Sequence, residues 1–175
     1  MKKLAALFTM TILTGLTSNA GLLLDPYLNY ITSGSTSNSA TVTGNEIGVR
    51  VGYDFLGFGV GIDTLLSGKY TSSLAGVSTD KTPTQFGLFA CYKFPILVRG
   101  YISFLTSAKE KDSSGNEVSG TATKIGIQYT GLPFIAIGLE TYAGSYKDAT
   151  IGGVTTSTSQ TASHTNLTIS APFSF

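Results

Sequence analysis

Arg50, Asp54, Asp63, Lys93, Arg99, Lys124 and Glu140 are charged residues standing inside segments that are otherwise apolar or small. Groups of this kind can move protons or attack a bond, hold a metal, or pair with one another. Hydrolysis needs a nucleophile, a base and an orienting acid within reach of each other. The chain has one histidine, His164, and one cysteine, Cys91. His164 opens the run His164-Thr165-Asn166 and reads as a solvated residue at the rim of the last strand. Cys91 reads as a small packing residue. No spacing of Cys, His and acidic residues suits a metal site, and no phosphate loop or dinucleotide fingerprint occurs. No catalytic residue and no cofactor is expected. Ion pairing remains, either as a structural network that satisfies buried charges or as a selectivity or gating network.

A period of two positions these charges, which is the period of a β-strand. Leu22, Leu24, Leu28 and Tyr30 oppose Asp25, Tyr27 and Asn29. Ile47, Val49, Val51, Tyr53 and Phe55 oppose Glu46, Gly48, Arg50, Gly52 and Asp54. Phe58, Val60, Ile62, Leu66 and Tyr70 oppose Gly59, Gly61, Asp63, Ser67 and Lys69. The same alternation sets Phe86, Leu88, Ala90, Tyr92 and Phe94 against Gly87, Phe89, Cys91 and Lys93. It sets Val98, Ile102 and Phe104 against Arg99, Tyr101 and Ser103, and Ile125, Ile127 and Tyr129 against Lys124, Gly126 and Gln128. Ile135, Ile137 and Leu139 face away from Ala136, Gly138, Glu140 and Tyr142. Polar stretches at about 33–43, 72–83, 109–117 and 147–163 read as long solvated loops, and the connections near 56, 95 and 131 as short turns. The inner glycines make room for aromatic rings such as Phe89, Tyr101 and Tyr142.

The final segment keeps the alternation to the last residue. Leu167, Ile169, Ala171, Phe173 and Phe175 share one parity, and Thr168, Ser170, Pro172 and Ser174 the other. Ends of soluble chains normally fray into water, so an apolar face running to the terminus calls for another medium. A bilayer supplies it, because a closed barrel turns its apolar face to lipid and its polar face inward.

Composition agrees. Charged residues make up 12% of the 175 residues, about half the roughly 25% of soluble domains. Net charge is +1, so no basic field exists to attract nucleic acid. Residues 1–20 read as a secretory signal peptide: Lys2 and Lys3, an apolar stretch from Leu4 to Leu16, then Ser18-Asn19-Ala20 as a small-residue cleavage site. Residues 21–175 form the single remaining domain. The lone cysteine rules out an internal disulfide, and no later apolar run is long enough for a spanning helix.

No Asp, Glu, Lys or Arg falls on the apolar parity of any of these segments. A soluble barrel also alternates, but its solvent face should be crowded with charge. Here the polar face carries Gly, Ser, Thr and a few charges of both signs, as a narrow interior requires. Tyr53, Phe55, Phe58, Tyr92, Phe94, Tyr129 and Phe173 cluster near the short turns, as an interfacial girdle would.

On these residues the mature chain resembles the small eight-stranded outer-membrane β-barrel proteins of Gram-negative bacteria. The resemblance implies an all-β fold, an eight-stranded antiparallel up-and-down transmembrane barrel in the bacterial outer membrane, with outer-membrane lipid as its surroundings. It also implies that Leu167, Ile169, Ala171, Phe173 and Phe175 form the signal read by the barrel-assembly machinery. Some related barrels are lipid A deacylases, whose histidine is followed two residues later by serine; Asn166 stands at that position here. An interior filled by side chains, which eight strands allow, makes Arg50, Asp54, Asp63, Lys93, Arg99, Lys124 and Glu140 a structural network. The expected role is structural or surface-interacting, with four polar extracellular loops and an unidentified surface ligand. A narrow porin-like channel is the alternative, and an outer-leaflet lipid-modifying enzyme ranks behind both.

Overall fold

Alternating side chains, β-branched residues and short glycine turns produce a continuous antiparallel meander. The computed structural model describes residues 21–175; the expected signal peptide, residues 1–20, lies outside them. Eight long strands occur among the described residues: β1 (Gly21–Thr36), β2 (Thr41–Phe55), β3 (Phe58–Leu74), β4 (Val77–Phe94), β5 (Val98–Asp112), β6 (Glu117–Leu132), β7 (Ile135–Ile151) and β8 (Val154–Ser170). A two-residue β9 (Phe173–Ser174) continues the path of β8 after a break at Ala171-Pro172. Each strand pairs with its sequence neighbours, and β1 pairs with both β2 and β8, so the sheet closes on itself. Closure leaves no open edge through the barrel wall.

Both described ends lie together, since Leu22 N–H donates to the carbonyl of Phe175 at 3.0 Å. The turns Leu56-Gly57, Pro95–Leu97 and Pro133-Phe134 lie at this same end, as the short connections near 56, 95 and 131 anticipated. At the opposite end the outcome differs from expectation. The stretches 33–43, 72–83, 109–117 and 147–163 are not long loops but paired strand ends closed by tight turns at 37–40, Ala75-Gly76, 113–116 and Gly152-Gly153. Ser and Thr lack the apolar contrast that marks a half-buried strand, so segments wetted on both faces read as loop although they continue the ladder. Leu56 and Gly57 both have positive φ, 52° and 81°, as do Ala75 and Gly76, 49° and 83°; this is the backbone that two-residue hairpin turns of the right twist require. At the turn over 113–116, Asp112 accepts bonds from Asn116 and Ser114 at 2.9 Å. These bonds, the Asn116 side chain's first, hold its carboxyl below the ordinary range.

β-Bulges reset the alternation midway up the wall. Ile47 pairs with Ser67 but Gly48 with Leu65, so Leu66 is an extra residue in β3. Beyond it the faces exchange. Tyr70, expected on the lipid face, is buried inside, and Lys69, expected inside, points outward and pairs with Asp80 at 2.8 Å. A second bulge near Thr106 acts likewise on β5, turning Ala108 and Glu110 inward. Glu110 therefore belongs to the interior and not to a solvated loop.

Candidate functional site

The interior is built on one cross-strand row. Asp25 on β1 lies opposite Arg50 on β2, and Arg50 lies opposite Asp63 on β3. Period two turns all three inward, and each is 1% exposed. Arg50 donates to Asp25 at 3.3 Å and to Asp63 at 3.4 Å, then spans the lumen to Glu140 on β7 at 2.9 Å. Its guanidinium lies between the rings of Tyr27 and Tyr101, 4.3 and 3.9 Å from their centroids, so π-faces and carboxylates together replace its hydration. Two glycines make this possible. A Cβ at Gly48 would collide with the Tyr27 ring, and one at Gly126 with the Tyr101 ring.

Glu140 is fully satisfied. It accepts from Arg50, from the Tyr101 hydroxyl at 2.8 Å, and from the amides of Asn29 and Asn166 at 2.7 and 2.9 Å. The basic partner expected nearest, Lys124, is engaged elsewhere. It lies 3.5 Å from Glu46 and donates to the Tyr27 hydroxyl at 3.2 Å. Sheet adjacency favours Lys124, but Lys124 leans toward Glu46, leaving Glu140 to the longer guanidinium. Glu46 also accepts from Tyr70, from Gln85 at 2.7 Å and from Asn29 at 2.9 Å. Asp63 accepts from Tyr27 at 2.8 Å and Ser103 at 2.6 Å. Arg99 reaches across to Asp25 at 2.8 Å and bonds Gln128 and Ser170.

Each end of the network finishes in a pair. Near the termini Lys93 pairs with Asp54, and Lys93 also bonds Ser174. Near the long hairpins Lys81 pairs with Glu110 at 2.8 Å, and the Tyr146 hydroxyl donates to Glu110 at 2.6 Å. Thus Arg50, Asp63, Arg99, Lys124 and Glu140 meet in one mid-barrel cluster, whereas Asp54 and Lys93 form a separate rim pair. His164 is not at the rim as expected. It is 4% exposed, stacks on Tyr142 at 4.4 Å and bonds Asn166 at 2.8 Å. Cys91 packs inside with Leu23, Phe89 and Tyr101.

Sequence reasoning misses several members of the cluster: Asp25, Asn29, Tyr70, Gln85, Asn166 and Ser170. Asp25, Asn29, Asn166 and Ser170 share the parity of the charges, which is the available signal. Gln85 keeps the inward parity of Gly87, Phe89 and Cys91 on β4, whereas Tyr70 lies beyond the bulge at Leu66, where that signal inverts.

The outer wall is the inverse of the interior. Leu28, Ile47, Val60, Ile62, Leu88, Phe104, Ile125, Ile127 and Leu139 are all exposed. In water so continuous an apolar belt would be an aggregation surface; against lipid it is the proper contact. Tyr53, Phe55, Phe58, Phe94 and Tyr129 are exposed near the terminal end, with Phe134 at its turn. Leu167, Ile169 and Phe173 face outward with them, and Phe175 closes the strand beside Leu22.

No protein-family model matches the chain, and no curated protein sequence matches it. Solved structures do. Neisserial surface protein A aligns over 89% of this chain and 99% of its own, with a TM-score of 0.56 and 16% identity. The outer membrane protein OprG from Pseudomonas aeruginosa covers 88% and 96%, at TM-score 0.46 and 9% identity. Ail, the attachment invasion locus protein of Yersinia pestis, covers 88% and 98%, at 0.48 and 13%. These identities speak to fold alone. With an apolar outer belt, a charged interior and a closed ring of strands, the chain is an eight-stranded transmembrane β-barrel of the fold seen in small bacterial outer-membrane proteins.

Proposed function

We propose that this protein is a side-chain-filled outer-membrane scaffold with a structural and surface-displaying role, and that it neither conducts solutes nor catalyses a reaction. The observation that carries this reading is Arg50, held by Asp25, Asp63 and Glu140 from three other strands with Tyr27 and Tyr101 on its two faces. A water-filled conduit would leave such charges hydrated. Here they satisfy one another, and breaking any one bond exposes a buried charge. The terminal end is assigned to the periplasm and the long hairpins to the outside, following the short-turn and long-loop asymmetry of such barrels. The hairpin ends then form a rigid Ser/Thr-rich display surface for a ligand yet to be identified. Leu167, Ile169, Ala171, Phe173 and Phe175 serve as the assembly signal, and removing Phe175 should slow insertion without weakening the folded barrel. Liposome swelling with small sugars tests the closed interior: unchanged vesicles support it, and swelling above empty controls favours the narrow channel.

A further inference from the structure

The last strand leaves its neighbour before the barrel ends. β8 pairs with β7 as far as Ala136 and Ser170, and no pairing to β7 follows among the described residues. Ala171 N–H instead donates to the Pro26 carbonyl at 3.0 Å, and β9 follows β1 alongside Leu23 and Leu24. Pro172, which has no N–H to give a ladder, stands at the point of departure. Ile135 on β7 and Pro172 thus flank a cleft at the terminal end, part of a pocket of about 250 Å³.

Two cations line that pocket. Lys93 and Arg99 are cross-strand partners on β4 and β5, and among the described residues no carboxylate shares the lining with them. A guanidinium has five N–H donors and an ammonium three. Arg99 directs Nε and Nη2 to Gln128, Asp25 and Ser170, and its Nη1 has no partner among the described residues. Lys93 donates to Asp54 and to Ser174, which leaves its third hydrogen. Arg99 is 1% exposed, so its remaining donors are shielded from bulk water. Lys93, with its side chain 34% exposed, lies nearer the rim, and Thr130 adds a hydroxyl to the same lining.

Donors so placed favour an acceptor with negative charge and several oxygens, which is the chemistry of a phosphate group. The rim indicates its source. Leu132, Phe134 and Ile135 also line the pocket, are 42%, 78% and 44% exposed, and lead into Ile137 and Leu139 of the apolar belt. A free anion gains nothing from that rim, whereas a lipid has acyl chains to lay along it. We infer that this pocket holds the phosphate of an anionic phospholipid, with Arg99 Nη1, Lys93 and Thr130 as donors and the acyl chains over Ile135 and Ile137. Asp25 and Asp54 each take one side of a cation, which keeps the two like charges in place and leaves their other donors for the ligand. A choline headgroup would bring a third positive charge to this lining, so the pocket discriminates against zwitterionic lipid.

Native mass spectrometry of the folded protein in detergent, titrated with dioleoylphosphatidylglycerol or dioleoylphosphatidylcholine, tests the site. The phosphatidylglycerol should be held about tenfold more tightly. Thr130→Glu places a carboxylate beside both cations without removing either, so the barrel should keep its heat-modifiable gel mobility while phosphatidylglycerol binding falls to the phosphatidylcholine level. Phe134→Ser, on an exposed turn, tests the rim independently and should weaken phosphatidylglycerol about threefold. Equal binding of the two lipids overturns the site, as does phosphatidylglycerol binding unchanged in folded Thr130→Glu or in Phe134→Ser. Displacement of the lipid by inorganic phosphate at equal concentration would assign the pocket to a free anion and equally overturn the proposal.

Discussion

Arg50 and Glu140 meet across the lumen at 2.9 Å, from strands β2 and β7 that are not neighbours in the sheet. Because the bond crosses the barrel, it ties opposite walls as well as satisfying two charges. Glu140→Ala should lower stability by about 3–5 kcal/mol, since it leaves Arg50 with a buried charge in excess. Glu140→Leu combined with Arg50→Met should recover part of that loss, although Asp25 and Asp63 limit the recovery. Urea-unfolding cycles measure both. The same cycle on Glu140 with Lys124 should show weaker coupling, and stronger coupling there would contradict the pairing.

Packing around Arg50 gives a second expectation. Gly48→Leu and Gly126→Val each drive a side chain into the Tyr27 or Tyr101 ring that covers the guanidinium. Each should cost about 1–3 kcal/mol as overpacking. Gly76→Ala, which meets nothing within 4 Å but has φ of 83°, should show only the smaller strain of its turn. Heat-modifiable gel mobility and urea midpoints rank the three.

The lipid face gives a third. Val60 is 58% exposed within the belt, and Ser163 lies outward above it. Val60→Arg should lose about 2–4 kcal/mol, the midplane value for such barrels, while Ser163→Arg should lose about 0–1 kcal/mol. Equal losses on refolding into vesicles would contradict the placement of the belt.

The outer hairpins give a fourth. Single cysteines introduced at Gly152 or Ala75, in a Cys91→Ser background, should label on intact cells with a membrane-impermeant reagent. A cysteine at Gly57 should label only after the outer membrane is breached. The reverse pattern would invert the topology.

Much of the barrel is legible in the sequence because one physical rule, period two, governs a strand with lipid on one side. That rule alone places Asp25, Tyr27 and Asn29 inside and Leu28 and Tyr30 outside. What alternation does not show is where it restarts. The extra residue at Leu66 reverses Lys69 and Tyr70, and the bulge near Thr106 hides Glu110 in what reads as a loop. Alternation also cannot see across the lumen. Lys124 is close to Glu140 in the sheet, but side-chain length and the competing pull of Glu46 decide the pairing. The sequence misplaces His164 for a related reason, since strand β8 continues well past the point where its outward residues cease to be apolar.

Single-channel recording in planar bilayers tests the closed interior most directly. Wild-type protein should give no steady open level, and Glu140→Gln should give no more than brief flickers as Arg50 loses a partner. A stable wild-type conductance whose ion selectivity changes in Glu140→Gln would show hydrated charges lining a pore, and would contradict the filled barrel.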